Sequence, residues 1–297
     1  GEFIGKFPLI PGHEIVGVIS QIGSDVRGFS VGDRCVADNT ILCDSCDYCR
    51  RGQYVLCENF DSLGVTMAGG FAGYVSVQSK KVYKIHNLTD EEATLVEPAS
   101  CAIHGLDKLD PPVGVEALIF GAGPTGLILA QLLKLNGASK VVIAANEGIK
   151  MRIARELDAG DEYIEFQRGS GATDQWAQLR EKYAGRFDVV VEATGAEYVA
   201  NQAMDFVRRG GSLMIYGVYA KADKVIWSPS RIFQDEIKII GSFAQTHCFP
   251  RAVAYLDSGK IKVKGMVTDL YAIKDFEKAL EKMKSKTACK IALKPQL

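Results

Sequence analysis

Neither sign of charge prevails in this sequence. Its 297 residues carry 35 Lys+Arg and 36 Asp+Glu, a net charge of −1. Binding nucleic acid or lying on an anionic membrane calls for a basic excess or a polybasic tail, and neither is present. Long apolar runs are missing too, since no stretch reaches the roughly 20 residues that span a bilayer. No signal peptide, repeat or low-complexity segment is visible. The expectation is a cytoplasmic protein with no nucleic-acid or membrane partner. The first residue is Gly1 and not Met, so the natural chain is expected to begin further upstream.

What is present is ordinary in bulk and unusual in detail. The length suggests two domains at about 150 residues each, and 47% hydrophobic content supports a real core. Eight cysteines occur. Four of them, Cys43, Cys46, Cys49 and Cys57, are spaced C-x2-C-x2-C-x7-C. Disulfides would need a secreted context, so clustered thiols here point to metal. Four thiolates on one loop close a tetrahedral shell around zinc at about 2.3 Å each and leave no open position. Such a site is structural. Four thiolates also suit an iron–sulfur cluster, although the spacing is not the bacterial ferredoxin run.

The sequence is organised around residues 117–135. A buried strand, a glycine turn and a helix follow one another, with Gly121, Gly123 and Gly126 at G-x-G-x-x-G spacing and Pro124 and Thr125 between them. Gly121 permits the turn, Gly123 the approach of a pyrophosphate and Gly126 close helix–strand packing. Free N–H groups at the helix start then face phosphate. A second strand over 140–145 completes a βαβ unit. Further buried strands are expected near 162–164, 187–192, 212–217 and 237–241. They make a doubly wound parallel sheet, with ligands at its carboxyl edge.

Around this block the texture differs. Residues 1–40 alternate short apolar runs with glycine, as in a small antiparallel barrel. Residues 69–77 and 81–85 read as two more strands. After the sheet, a helix over 251–258, a strand region over 265–270 and an amphipathic helix over 273–284 are expected. Gly12-His13-Glu14 is either a surface turn with a solvated pair or a metal or acid–base site. Glu97, in an apolar setting before Pro98, is either a capping carboxylate or a ligand.

Taken in order, Gly12-His13-Glu14, the four-cysteine loop, Glu97-Pro98 and Gly121–Gly126 resemble the zinc-containing medium-chain dehydrogenases, over the whole chain. Glu97-Pro98-Ala99 is similar to the sorbitol and polyol branch, and residues 143–150 to the D-arabinitol dehydrogenases. The resemblance implies a Rossmann sheet inserted in a mainly-β GroES-like catalytic domain. The expected boundaries are 1–100, 101–241 and 242–297. It implies a catalytic zinc held by His13 and Glu97 with Glu14 in or near the shell, a small polyol substrate, and a dimer or tetramer. It also implies a cysteine ligand on a Cys-Gly-Thr/Ser-Asp segment upstream of Gly12, which this sequence lacks. Cys35, Cys101, Cys248 and Cys289 sit in no such context and read as buried apolar thiols. Zinc is a Lewis acid toward the alcohol, and the nicotinamide takes the hydride. Lys290 resembles the basic residue that meets the cofactor pyrophosphate.

One further absence bears on the cofactor. An acid at the end of the second strand ordinarily binds the ribose 2′-OH and repels a 2′-phosphate. Ala145 and Asn146 stand there, and neither is acidic. Glu147 falls past the strand end, and Lys150 and Arg152 follow, either facing a phosphate or simply solvated. The expectation is NADP over NAD. A non-catalytic NADPH-binding protein with only the structural zinc is the alternative. A zinc-free quinone reductase is a third, opposed by the cysteine loop and His13.

Overall fold

The structure is a computed structural model that describes residues 7–167 and 172–295. In chain order it opens with β1 (Ile15–Val18), β2 (Arg34–Ala37), β3 (Thr40–Ile41), helix α1 (Asp47–Arg50), β4 (Asp61–Ser62) and β5 (Val82–Lys84). Strands β1, β2 and β5 form one antiparallel sheet, and β3 pairs antiparallel with β4. Two helices follow, α2 (Asp90–Ala93) and α3 (Val96–Leu109). The start of α2 is fixed by a capping box. Thr89 Oγ1 accepts from the Glu92 N–H, and Glu92 Oε2 from the Thr89 N–H, at 3.2 and 3.0 Å. Pro98 lies in the first turn of α3, where its missing N–H costs no hydrogen bond.

The segment 69–77 is not a strand. The N–H groups of Gly69, Gly70 and Phe71 donate to the carbonyls of Ile10, Gly12 and Pro11 at 2.8–2.9 Å. That irregular pairing uses the donors that a ladder would need. Only 82–84 of the second expected strand is in register with β2.

The central sheet has six parallel strands: β6 (Glu116–Phe120), β7 (Lys140–Asn146), β8 (Glu162–Phe166), β9 (Phe187–Glu192), β10 (Val207–Ile215) and β11 (Lys238–Gly241). Their order is β11-β10-β9-β6-β7-β8. This is the doubly wound Rossmann arrangement, with its switch point between β6 and β9. Strand β10 begins five residues before the expected Ser212, because Val207 already pairs with Phe187 ahead of a register shift between Val207 and Ser212. Helices α4 (Pro124–Leu135), α5 (Ile149–Glu156), α6 (Ala172–Tyr183), α7 (Glu197–Ala203) and α8 (Pro229–Gln234) connect the strands. Leu118, Val142, Val190 and Leu213 are wholly buried. Each such side chain contributes roughly 1.5–3 kcal/mol, which is why the strands read as continuous apolar runs. One methyl group would disturb the turn at its centre, since a Cβ on Gly126 would lie 2.3 Å from the Gly121 carbonyl oxygen.

The chain closes with α9 (Phe249–Asp257), β12 (Val267–Ala272), α10 (Phe276–Lys284) and β13 (Lys290–Lys294), β12 and β13 pairing in parallel. By internal contacts the molecule divides into a nucleotide-type unit, Ala102–Phe243, and a flanking unit built from the segments before and after it. No helix among the described residues is long and apolar enough to cross a membrane.

Candidate functional site

Among the described residues, two groups of metal-capable side chains lie in the flanking unit. In each, the ligand atoms all fall within 4.8 Å of one another. The first is the cysteine loop. Cys43 Sγ stands 3.5 Å from Cys57 Sγ and 4.0 Å from Cys49 Sγ. Thiolates on a tetrahedral zinc stand about 3.8 Å apart, so the donor set fits. The backbone prepares it. N–H groups of Ser45 and Cys46 point at Cys43 and bring its thiol down to about 5. Burial first, and the neighbouring thiols after it, push Cys49 up to about 12. One thiol is thus readied, and a metal bound there would take the place of the remaining protons.

The second group is His13, Glu14 and Glu97. Its placement begins with Gly12, whose φ is +97°. A Cβ there would sit 2.4 Å from the Phe71 ring, and a Cβ on Gly64 would sit 2.3 Å from the Gly12 carbonyl. Backbone therefore packs on backbone and directs His13 and Glu14 toward the start of α3. There Ser100 Oγ donates to the Glu97 carbonyl at 2.6 Å. Burial, the largest influence, raises the Glu97 carboxyl above its ordinary value, partly opposed by His13. Nitrogen and oxygen ligands on tetrahedral zinc stand about 3.4 Å apart. The observed spread needs only side-chain adjustment to reach that, and two carboxylates with an imidazole suit the ion.

Two neighbours complete the cluster. Lys290 Nζ donates to Glu14 Oε2 across a largely buried ion pair. Its ammonium is thus paired with a carboxylate of the metal-capable group. Cys101, one helical turn beyond Glu97, donates its thiol to Glu97 Oε1 at 3.3 Å. Burial and then Glu97 raise the Cys101 thiol well above its usual range. Reading Cys101 as an apolar thiol is therefore corrected. The Glu-to-Cys spacing of four on a helix was the available signal.

The remaining sequence candidates lie in the nucleotide-type unit. Gly121 has φ +117°, and Gly123 is the N-cap of α4 with open space where a Cβ would stand. Pro124, Thr125 and Gly126 form the first turn of that helix. Ala145 and Asn146 end β7, Asn146 exposed, while Glu147 lies just beyond and its N–H is bound to the Phe166 carbonyl. Lys150 stands in the first turn of α5.

Comparison with known proteins gives two family matches. Residues 1–87 match the alcohol dehydrogenase GroES-like domain, and residues 124–258 the zinc-binding dehydrogenase model. The chain is 59% identical to D-arabinitol dehydrogenase 1 of Uromyces fabae over 295 residues, covering 99% of this chain and 84% of that protein. Among solved structures, a zinc-binding dehydrogenase from Sinorhizobium meliloti 1021 bound to NADP superposes with TM-score 0.86 at 28% identity, covering 94% and 81% of the two chains. An alcohol dehydrogenase from Escherichia coli CFT073 complexed with NADH gives 0.83 at 26%, covering 97% and 84%.

Proposed function

This chain belongs to the zinc-containing medium-chain dehydrogenase family, and from that premise we propose that it oxidises a secondary hydroxyl of a D-arabinitol-like polyol. The hydride passes to a nicotinamide dinucleotide, NADP in preference to NAD. The observation that carries this reading is the convergence of His13, Glu14 and Glu97 in a chain 59% identical to a D-arabinitol dehydrogenase. Nothing supports a non-catalytic binding protein.

Zinc, when bound at the cluster, supplies Lewis acidity toward the hydroxyl being oxidised. His13 offers an imidazole nitrogen, and Glu14 and Glu97 offer carboxylate oxygens. Lys290 offsets part of the negative charge by holding Glu14. The Cys101 thiol fixes one oxygen of Glu97 and leaves the other for the metal. The cysteine loop takes a second zinc and does no chemistry, having no open position. The dinucleotide is assigned to the unit Ala102–Phe243, with its pyrophosphate at Gly123 and the first turn of α4. The reading extends to a cytoplasmic homo-oligomer, dimer or tetramer, without nucleic-acid or membrane partners. Charge balance, the exposed Ile239 on the edge strand β11 and the exposed Phe243 just beyond it support it.

The cofactor preference rests on Ala145 and Asn146. An aspartate there would bind a free ribose and repel a 2′-phosphate. Initial rates on D-arabinitol with NADP and NAD test both halves of the proposal. Full-length wild type, with the upstream cysteine ligand that the resemblance implies, should turn over the polyol and favour NADP by about tenfold, about 1.4 kcal/mol, and Ala145→Asp should reverse the preference. No oxidation of any five- or six-carbon polyol would overturn the substrate reading. A wild-type preference for NAD would mean that Glu147 reaches the ribose.

A further inference from the structure

A carboxylate with no role so far lies inside the nucleotide-type unit. Glu192, the last residue of β9, is wholly buried. Its Oε1 accepts from the Thr194 N–H at 2.8 Å and from the Thr194 hydroxyl. Its Oε2 accepts from the Gly195 N–H at 3.1 Å and from the Tyr219 hydroxyl. All four donors are neutral. Its backbone carbonyl accepts from the N–H groups of Tyr216 and Gly217, both at 2.9 Å. A buried charge is costly, and the core of the sheet does not need one. What this one does is tie two loops together, 193–195 after β9 and 216–219 after β10. The fit is tight, because a Cβ on Gly217 would lie 2.2 Å from the Gly195 nitrogen. The first loop also backs the glycine turn, where a Cβ on Gly121 would lie 2.9 Å from the Ala193 carbonyl oxygen.

Position gives the clamp its meaning. In a doubly wound sheet each half binds one mononucleotide at the carboxyl edge, and the two halves meet at the switch point. Strands β6, β7 and β8 carry the half with Ala145 and Asn146, which faces the adenosine. Strands β9, β10 and β11 carry the other half. Given the dinucleotide reading above, on which this inference rests, we propose that Glu192 is the positioning residue for the nicotinamide mononucleotide half. It holds the loops 193–195 and 216–219 in the one arrangement that receives the nicotinamide ribose.

The donor pattern supplies the test. Each carboxylate oxygen takes one backbone N–H, so an amide in place of the carboxylate must face one of these N–H groups with its own NH2. Glu192→Gln should weaken NADPH binding about tenfold and lower the fluorescence of the bound nicotinamide. Adenosine 2′,5′-bisphosphate, which lacks that half, should bind both proteins within about twofold. Where Glu192→Gln fails to fold, Tyr219→Phe removes one donor and should show the same split at about threefold. NADPH binding and fluorescence equal to wild type in a folded variant would overturn the clamp, as would an equal loss for both ligands. A wild type that binds neither NADPH nor NADH would instead overturn the dinucleotide reading itself.

Discussion

The two metal-capable groups sit in one unit of the molecule and are built in opposite ways. The cysteine loop gathers four like ligands from residues 43–57, with backbone N–H groups already lowering one thiol. The other group joins an imidazole and two carboxylates from residues 13, 14 and 97, and borrows Lys290 and Cys101 as partners. The first closes on itself. The second keeps unlike ligands, a raised carboxyl and a compensating ammonium.

Two substitutions should separate the groups. Cys46→Ser should remove one metal per chain and more than about 4 kcal/mol of stability, the scale expected when a structural metal is lost. Metal analysis with denaturant midpoints checks it, and an unchanged metal content would sink the structural assignment. His13→Ala should lower turnover at least about 10³-fold, roughly 4 kcal/mol in the barrier, while NADPH affinity and the cysteine-bound metal stay as in wild type. Ordinary turnover by that variant would remove His13 from the chemistry.

A pH series sharpens the contrast with a smaller effect. Burial holds Glu97 above its ordinary 4.5. Between pH 4.5 and the folded value, the metal-free native chain keeps a proton that the unfolded chain has released. That contribution is full below pH 4.5 and is lost as pH rises through the folded value. Metal-free wild type should therefore lose stability against Glu97→Gln as pH climbs from 4.5, and added zinc should reverse the ranking. Thermal melts showing a gap that does not change with pH would contradict the burial argument.

What the sequence disclosed was local. The four cysteines fall within one loop, and Gly121, Gly123 and Gly126 within one turn, so spacing alone exposes them. The missed features depend on residues brought together by the fold. Lys290 meets Glu14 across 276 positions, and no nearby residue signals that pairing. Glu192 reads as a strand end, although an acid between Val191 and Ala193 in an apolar run was a visible anomaly. The segment 69–77 misled because its alternation serves glycine-rich backbone packed on residues 10–12 as well as it serves a ladder.

The long reach of the Glu14–Lys290 pair also sets an order in time. Closing 276 residues costs roughly 2–3 kcal/mol more chain entropy than the 14 from Cys43 to Cys57. On a ribosome adding about 5–20 residues per second, Lys290 follows Cys57 by roughly 10–50 s. During that interval the thiolate loop is already long enough to take up its ion, and the sheet between them is being laid down. The four thiols are thus together long before the partner that balances Glu14 exists.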